Sequence, residues 1–248
     1  MAGPDVEVVL APNPGPMTLA GTNTYLVGRE PAVVIDPGPA IEAHIEAVGA
    51  AAAARGGIGS VLLTHGHGDH ADGIGLLGVS ATELGDGAML AGIAAVATPG
   101  HAHDHFCFVI SADHPAAGGA QGAICFSGDL ILGEGSTIVP PGDQGGSLAD
   151  YMRSLRRLQE LELELILPGH GPAVADPAAK IAEYIEHRES RERRLVEALD
   201  RGIHSHLELL DVVWDDVPAE LRPAAAFAMQ AHLDKLANEG RLPEHMME

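Results

Sequence analysis

Thr64-His65-Gly66-His67-Gly68-Asp69-His70 packs three imidazoles and one carboxylate into the six positions from His65 to His70. A hydrophobic core has no use for such a run, whereas a loop wrapped around cations does. Immediately upstream, Ser60-Val61-Leu62-Leu63-Thr64 reads as a short buried strand, and Ala71 onward as the start of a helix. The donors therefore fall at the C-terminal end of a strand, where α/β folds place their sites. Gly66 and Gly68 read as positions that let the chain turn without Cβ clashes, so that the flanking side chains converge. Neutral imidazole mixed with carboxylate suits zinc, manganese or iron, while oxygen-only sites suit magnesium or calcium. The plain alternative is a His-rich surface loop that takes up metal adventitiously.

Three segments downstream argue against that alternative. Each repeats one format: an apolar strand, a turn of small residues or proline, then a ligand-type side chain. Ile93–Ala97 leads into Thr98-Pro99-Gly100-His101, Ala123–Phe126 into Ser127-Gly128-Asp129, and Leu163–Leu167 into Pro168-Gly169-His170-Gly171. One coincidence of this kind is weak; four in order are strong.

In that order the segments resemble the motifs of the metallo-β-lactamase superfamily, across roughly residues 6–175 by motif span. The opening pair matches too, with Thr22-Asn23-Thr24-Tyr25-Leu26-Val27 followed by Val33-Val34-Ile35-Asp36-Pro37-Gly38. The resemblance implies an α/β fold, an αββα sandwich with two metals at one edge. It implies that His65, His67 and His101 bind metal one, and that Asp69, His70 and His170 bind metal two. Asp129 then bridges them, together with a shared water or hydroxide.

Elementary chemistry agrees with that arrangement. Seven ligands exceed one tetrahedral zinc but suit two sites with a bridging carboxylate. Paired cations acidify a bridging water, position it and neutralise the oxygen charge that develops in the transition state. Neither Ser nor Cys is then needed as nucleophile. Asp69, a carboxylate beside that water, is the candidate catalytic residue that orients it or takes its proton. Cys107 and Cys125 alternate with Phe106, Phe108 and Phe126 and read as buried thiols.

Length and composition set the frame. The chain has 248 residues, room for one full αββα domain and a small appendix. Two cysteines offer no disulfide framework. The start, Met1-Ala2-Gly3-Pro4-Asp5-Val6-Glu7, lacks the features of a signal peptide, and no apolar run reaches spanning length. A soluble cytoplasmic enzyme with no membrane partner is the expectation. Secreted β-lactamases normally carry a leader, and their class with a cysteine ligand has it where this chain has Asp129, so antibiotic hydrolysis is not the expected role. The formal net charge is −21, with 16 acidic side chains in residues 1–150 against Arg29 and Arg55. A basic knot at Arg188, Arg191, Arg193 and Arg194 is broken by Glu189 and Glu192, and residues 203–248 carry nine acids against Arg222, Lys235 and Arg241. Duplex DNA needs a concentrated positive field, which this chain lacks.

A sandwich over residues 1–175 and a helical, winged-helix-like domain over 176–248 is the expected organisation. A Gly/Pro loop covers 133–147, and Ser147 with Asp150 caps a helix running to about Leu161. Asp176-Pro177 starts a helix that reaches about Arg201, roughly 40 Å at 1.5 Å per residue. Ser205 with Glu208 reads as a capping box opening Leu207–Trp214, and an apolar-periodic stretch follows over Leu221–Asn238.

The His101–His105 stretch, His187-Arg188-Glu189 and Ala231-His232-Leu233-Asp234-Lys235-Leu236 look like a lactamase-like subgroup that includes an endoribonuclease, with related thioesterases. A binuclear, most simply zinc-dependent hydrolase is expected, with manganese or iron as other metals. Its substrate is a small ester, thioester or lactone, or single-stranded RNA. A mononuclear iron enzyme like the persulfide dioxygenases is one alternative, which would leave the second ligand set idle. A metal-bound winged-helix regulator is the other, which the acidic tail disfavours. His105 reads as a partner of a ligand, His103 as near substrate or solvent, and Asp104 as a cap or mouth residue. Asp36 reads as a turn residue. His44, His114, His187, His204, His206, His232 and His245 read as surface or capping positions.

Overall fold

The computed structural model describes residues 4–243 and Met246; residues 1–3 and His245, both read above from sequence, lie outside the described residues. Strands β1 (Val6–Leu10), β2 (Asn23–Val27), β3 (Ala32–Ile35) and β4 (Ile58–Leu62) form one sheet in that order. The second holds β5 (Met89–Leu90), β6 (Ile93–Ala97), β7 (Phe106–Ile110), β8 (Ala123–Gly128) and β9 (Leu163–Pro168). Each sheet is antiparallel until its last pair, β3 with β4 and β8 with β9, which runs parallel. A parallel pair needs a crossover, and helices supply it: α1 (Glu42–Ala53) in the first and α4 (Leu148–Gln159) in the second. The C-terminal ends of these two parallel pairs therefore carry Asp36, the His65–His70 loop, Asp129 and His170.

Alternation along the strands builds four layers. Tyr25, Val27, Val33 and Ile35 face Ile93, Phe108, Ile110 and Phe126 between the sheets. Leu26, Val34 and Val61 point the other way, onto Val48 and Ala52 of α1. Cys107, Cys125 and Ile166 pack outward on Tyr151, Leu155 and Leu158 of α4. Both cysteines are free and buried, as read. Each large side chain fully buried in these layers contributes about 1.5–3 kcal/mol.

Short helices α2 (Gly68–Ala71) and α3 (Ile74–Leu77) follow β4. The helix thus begins at Gly68, not Ala71, and Asp69 and His70 sit on its single turn, whose amides at His70 and Ala71 bond back to the His67 carbonyl. Gly66 and Gly68 do not adopt a left-handed conformation. A Cβ at Gly68 would lie 2.6 Å from Asp72 Oδ2, and one at Gly66 would lie 3.0 Å from Asp104 Oδ2, so neighbouring carboxylates make them small.

After β9 the chain is helical: α5 (Pro177–Asp200), α6 (His206–Val213) and α7 (Arg222–Asn238). Asp176 caps α5 through the Ala179 amide, and Ser147 caps α4 through the Asp150 amide. The Ser205–Glu208 box does not form, since Ser205 makes no side-chain cap bond. The early turns of α5 seat Ile181 and Tyr184 on α4, while its last turns join Leu209, Val213, Trp214, Met229 and Leu233 in a separate cluster. Among the described residues no helix is long and apolar enough to cross a membrane.

Candidate metal centre

All seven ligand candidates meet at the edge where the parallel pairs end. His65, His67 and His101 form one group and Asp69, His70 and His170 another, with His65, His70 and Asp129 between them. In the first, His67 Nδ1 lies 2.9 Å from His65 Nε2 and 3.0 Å from His101 Nε2. In the second, His170 Nε2 lies 3.3 Å from His70 Nε2 and 3.2 Å from Asp69 Oδ2. Asp129 Oδ1 is 3.4 Å from Nε2 of both His70 and His170, while Oδ2 is 3.6 Å from His101 Nε2. One carboxylate thus offers an oxygen to each group.

The outer ring nitrogens explain why the inner ones converge. His70 Nδ1 donates to Asp36 Oδ2 at 2.8 Å, His101 Nδ1 to the Ile138 carbonyl at 2.8 Å, and His170 Nδ1 to the Gly21 carbonyl at 3.2 Å. Thr64 Oγ1 donates to Asp36 Oδ2 and so accepts from His65 Nδ1 at 3.1 Å. Each bond fixes the tautomer and turns a lone pair inward, the role such partners play around metals.

Electrostatics follow from burial and the two carboxylates. Burial foremost, with His70 and His105 nearby, pushes the His65 pKa far below the histidine range, so the ring is neutral and ready to ligate. Burial opposes charge on His70 as well, yet Asp129 and Asp36 hold it well above the ordinary value. His170 is raised to about 9, burial being outweighed by Asp129 and Asp69. The Asp129 carboxyl, though buried, is held well below the usual range by His70, His170 and His101. These carboxylates draw positive charge to the edge, and a divalent cation answers the same demand while displacing protons.

A metal fits here on three observations. Asp129 Oδ1 is buried and makes no hydrogen bond within the described residues. Within each group the imidazole and carboxylate atoms converge to within 4.8 Å of one another, a donor set that suits a divalent cation once it displaces the protons. At Gly169 a Cβ would come within 2.6 Å of His70 Cε1 and 2.9 Å of Asp129 Oδ1, so the turn leaves room where a side chain would intrude.

Around this set, His105 is buried, accepts from the Asp129 amide at 3.2 Å and bonds Thr98 Oγ1 at 2.9 Å through its other nitrogen. Burial foremost lowers its pKa to about 3, the neutral form that role needs. Asp104 is exposed and accepts from the Gly66 amide at 3.0 Å, pinning the histidine loop. His103 is exposed and faces Gly145 of the 133–147 loop. His114 caps a short 3-10 turn through the Ala116 amide.

Three positions depart from the sequence expectation. Asp36 turns the chain at φ 52° but also accepts from the Thr64 amide, the Thr64 hydroxyl and His70, so it orients ligands. His44 is buried against Thr24 Oγ1 at 2.9 Å, and His232 is 1% exposed; neither is a surface residue. Asn23 and Tyr25, unassigned from sequence, brace the His170 turn from the other sheet: Asn23 Nδ2 donates to the Pro168 and Gly171 carbonyls, and Tyr25 donates to Pro168. Polar residues in a strand buried along its whole length were the available signal. Most of the arginine knot is engaged within the fold: Arg191 pairs with Asp216, Arg193 with Glu186 and Arg194 with Asp215.

Comparisons with known proteins match this picture. The metallo-beta-lactamase superfamily matches residues 17–78, and the beta-lactamase associated winged helix domain matches residues 195–246. The lactamase-like protein adaB of Aspergillus niger is 34% identical over 270 residues, covering 94% of this chain and 80% of that protein. The atrochrysone carboxyl ACP thioesterase of Aspergillus chevalieri is 34% identical over 271 residues, covering 96% and 83%. A metallo-beta-lactamase family protein from Thermus thermophilus superposes with a TM-score of 0.71 at 21% identity, covering 95% of this chain and 94% of that one. TTHA1623, solved in a di-iron-bound form, gives a TM-score of 0.51 at 25% identity, covering 73% and 97%.

Proposed function

The chain belongs to the metallo-β-lactamase superfamily of metal-dependent hydrolases, and from that premise we propose that it hydrolyses a small-molecule acyl thioester or related ester. The observation that carries the metal-dependent hydrolysis is Asp129, whose two oxygens address the two histidine groups separately. His65, His67 and His101 would hold one divalent cation, and Asp69, His70 and His170 the second, with Asp129 between them. Zinc is the metal that the imidazole-rich set favours, with manganese or iron as the other candidates; the di-iron form of TTHA1623 supports the binuclear arrangement. When bound, such a pair would supply Lewis-acid chemistry, lowering the pKa of a water and polarising the substrate carbonyl.

The chain's own residues supply the rest. Asp69 is half-buried, anchored through Oδ2 at 3.2 Å from His170 Nε2, and orients the attacking water or takes its proton. Asp36, Thr64 and the Gly21 and Ile138 carbonyls keep the rings from rotating as charge develops. A thiolate leaving group, with a thiol pKa of about 8.5, departs without a strong general acid, whereas an alkoxide needs one. The thioesterase among the relatives supports the same class. We also propose a catalytic unit over 1–175 and a helical one over 176–248. The Asp176 cap, where α5 starts, supports the boundary, and the separate apolar cluster from Leu195 onward supports a helical unit, although the early turns of α5 still pack on α4.

A parallel screen tests the proposal: acyl thioesters, lactones, single-stranded RNA and phosphodiesters, each with and without chelator. Chelator-sensitive thioester or ester hydrolysis is expected. Cleavage of RNA alone, or turnover that survives complete metal removal, would overturn it.

A further inference from the structure

A cavity of about 470 Å3 lies where α4, α5 and α7 meet, and none of the seven ligand candidates lines it. Its lining includes His232 and Arg188, which are 1% and 4% exposed. Neither ring nitrogen of His232 has a hydrogen-bond partner among the described residues, and neither has Arg188 Nε. Arg188 Nη2 donates to Ser136 Oγ and the Thr137 carbonyl, and the guanidinium lies over the Tyr151 ring at 5.4 Å. It forms no ion pair with any carboxylate of the described residues. Buried donors without acceptors are costly, and they ask for a group that brings acceptors with it.

Cations outnumber carboxylates on the walls. Arg153, Arg156, Arg193 and Lys235 join Arg188 there, against Glu189, Glu192 and Glu239. The wall carboxylates pair with wall cations, Glu189 with Arg156 at 2.9 Å, Glu192 with Lys235 at 2.7 Å and Glu239 with Lys235 at 2.8 Å, while Arg153 and Arg193 pair with Asp150 and Glu186, so Arg188 is the wall cation that meets no carboxylate of the described residues. The cavity is therefore locally cationic in a chain of net charge −21. Its volume falls in the range of roughly 300–1,000 Å3 that holds small organic ligands, far beyond a bare oxyanion.

We propose that this cavity binds a phosphate ester, its oxygens accepting from Arg188 Nε and His232 and its organic arm filling the remaining volume. Phosphate is preferred to carboxylate because its several oxygens meet donors arriving from α5 and α7 at once, where a planar carboxylate presents two. The site does not depend on which bond the metal edge cleaves.

Trp214 is the chain's one tryptophan, its ring 5.9 Å from that of His232 and under the Arg191 guanidinium at 5.5 Å, so its fluorescence reports locally on this cavity. The metal-loaded full chain would be titrated with inorganic phosphate, pantetheine 4′-phosphate and phosphate-free pantetheine. Saturable changes with the ester, tighter than with inorganic phosphate, and none with pantetheine are expected. His232→Phe keeps the ring packing on Trp214 and removes both nitrogens; it should weaken the ester at least about tenfold, the scale of a lost charge-assisted hydrogen bond. Lys235→Gln, at the wall, should weaken it in the same direction and serves if the first variant fails to fold. Equal responses to all three probes, no saturation, tighter binding of inorganic phosphate, or undiminished binding in both variants would each overturn the proposal.

Discussion

At the sheet edge, His65, His70, His101 and His170 each give the outer ring nitrogen to an oxygen and turn the inner one toward a common centre. Where α5 meets α7, His232 is as deeply buried, yet neither of its nitrogens has a partner among the described residues. The carboxylates differ in the same way. Asp36, Asp69 and Asp129 stand among the edge histidines, while Arg188 at the junction meets none. Burial of imidazole alone therefore says little. Lone pairs aimed inward prepare the first region for cations, and undirected N–H groups beside a guanidinium prepare the second for an anion.

The contrast breaks most sharply through Asp69. Asp69→Asn keeps the shape but removes the proton acceptor, and turnover of a confirmed substrate should fall at least ~10²-fold in steady-state assays. Near-normal turnover would remove Asp69 from the chemistry. Asp36→Asn is expected to act one step out. It weakens the bond that orients His70, so metal affinity in competition with a chelator should fall about 10- to 100-fold. An unchanged affinity would mean that the ring is held by packing alone.

The smallest effect sharpens the other side. Burial foremost, then Arg188 and Arg191, lowers His187 to about 4, and burial, then Arg188 and Lys235, holds His232 well below the histidine range. An unfolded chain protonates these rings near pH 6.5, while the folded chain resists until far lower. Their contribution is thus complete above pH 6.5 and is lost as pH falls through that value toward 4. Thermal unfolding of the metal-loaded protein in phosphate-free buffer should show declining stability over that interval, and His232→Phe should flatten the slope. An equal slope in the variant would place the titration elsewhere.

The two regions also differ in how far they could be read from sequence. Every ligand candidate of the edge was legible, because each follows an apolar strand in the same format; the strand Ile93–Ala97 lies where the pattern put it, and the one read as Leu163–Leu167 runs one residue further, to Pro168. The partners of those ligands were less so. Asp36 looked like a turn residue because it is one, and its three accepted hydrogen bonds come from residues 28 and 34 positions away. The Gly21 and Ile138 carbonyls carry no sequence signal at all. In the tail, helical periodicity located α5 and α7 but not what their charged side chains face. The arginine knot read as a patch, and only the fold brings Asp215 and Asp216 against Arg194 and Arg191.

The central claim, two cations sharing Asp129, is tested most directly by counting metals on intact chains by native mass spectrometry. The wild-type chain should saturate at two transition-metal ions, and Asp129→Ala at one or none, because both groups lose their common oxygen donor. A wild-type chain that saturates at one ion, together with an Asp129→Ala chain that keeps it, would contradict the account.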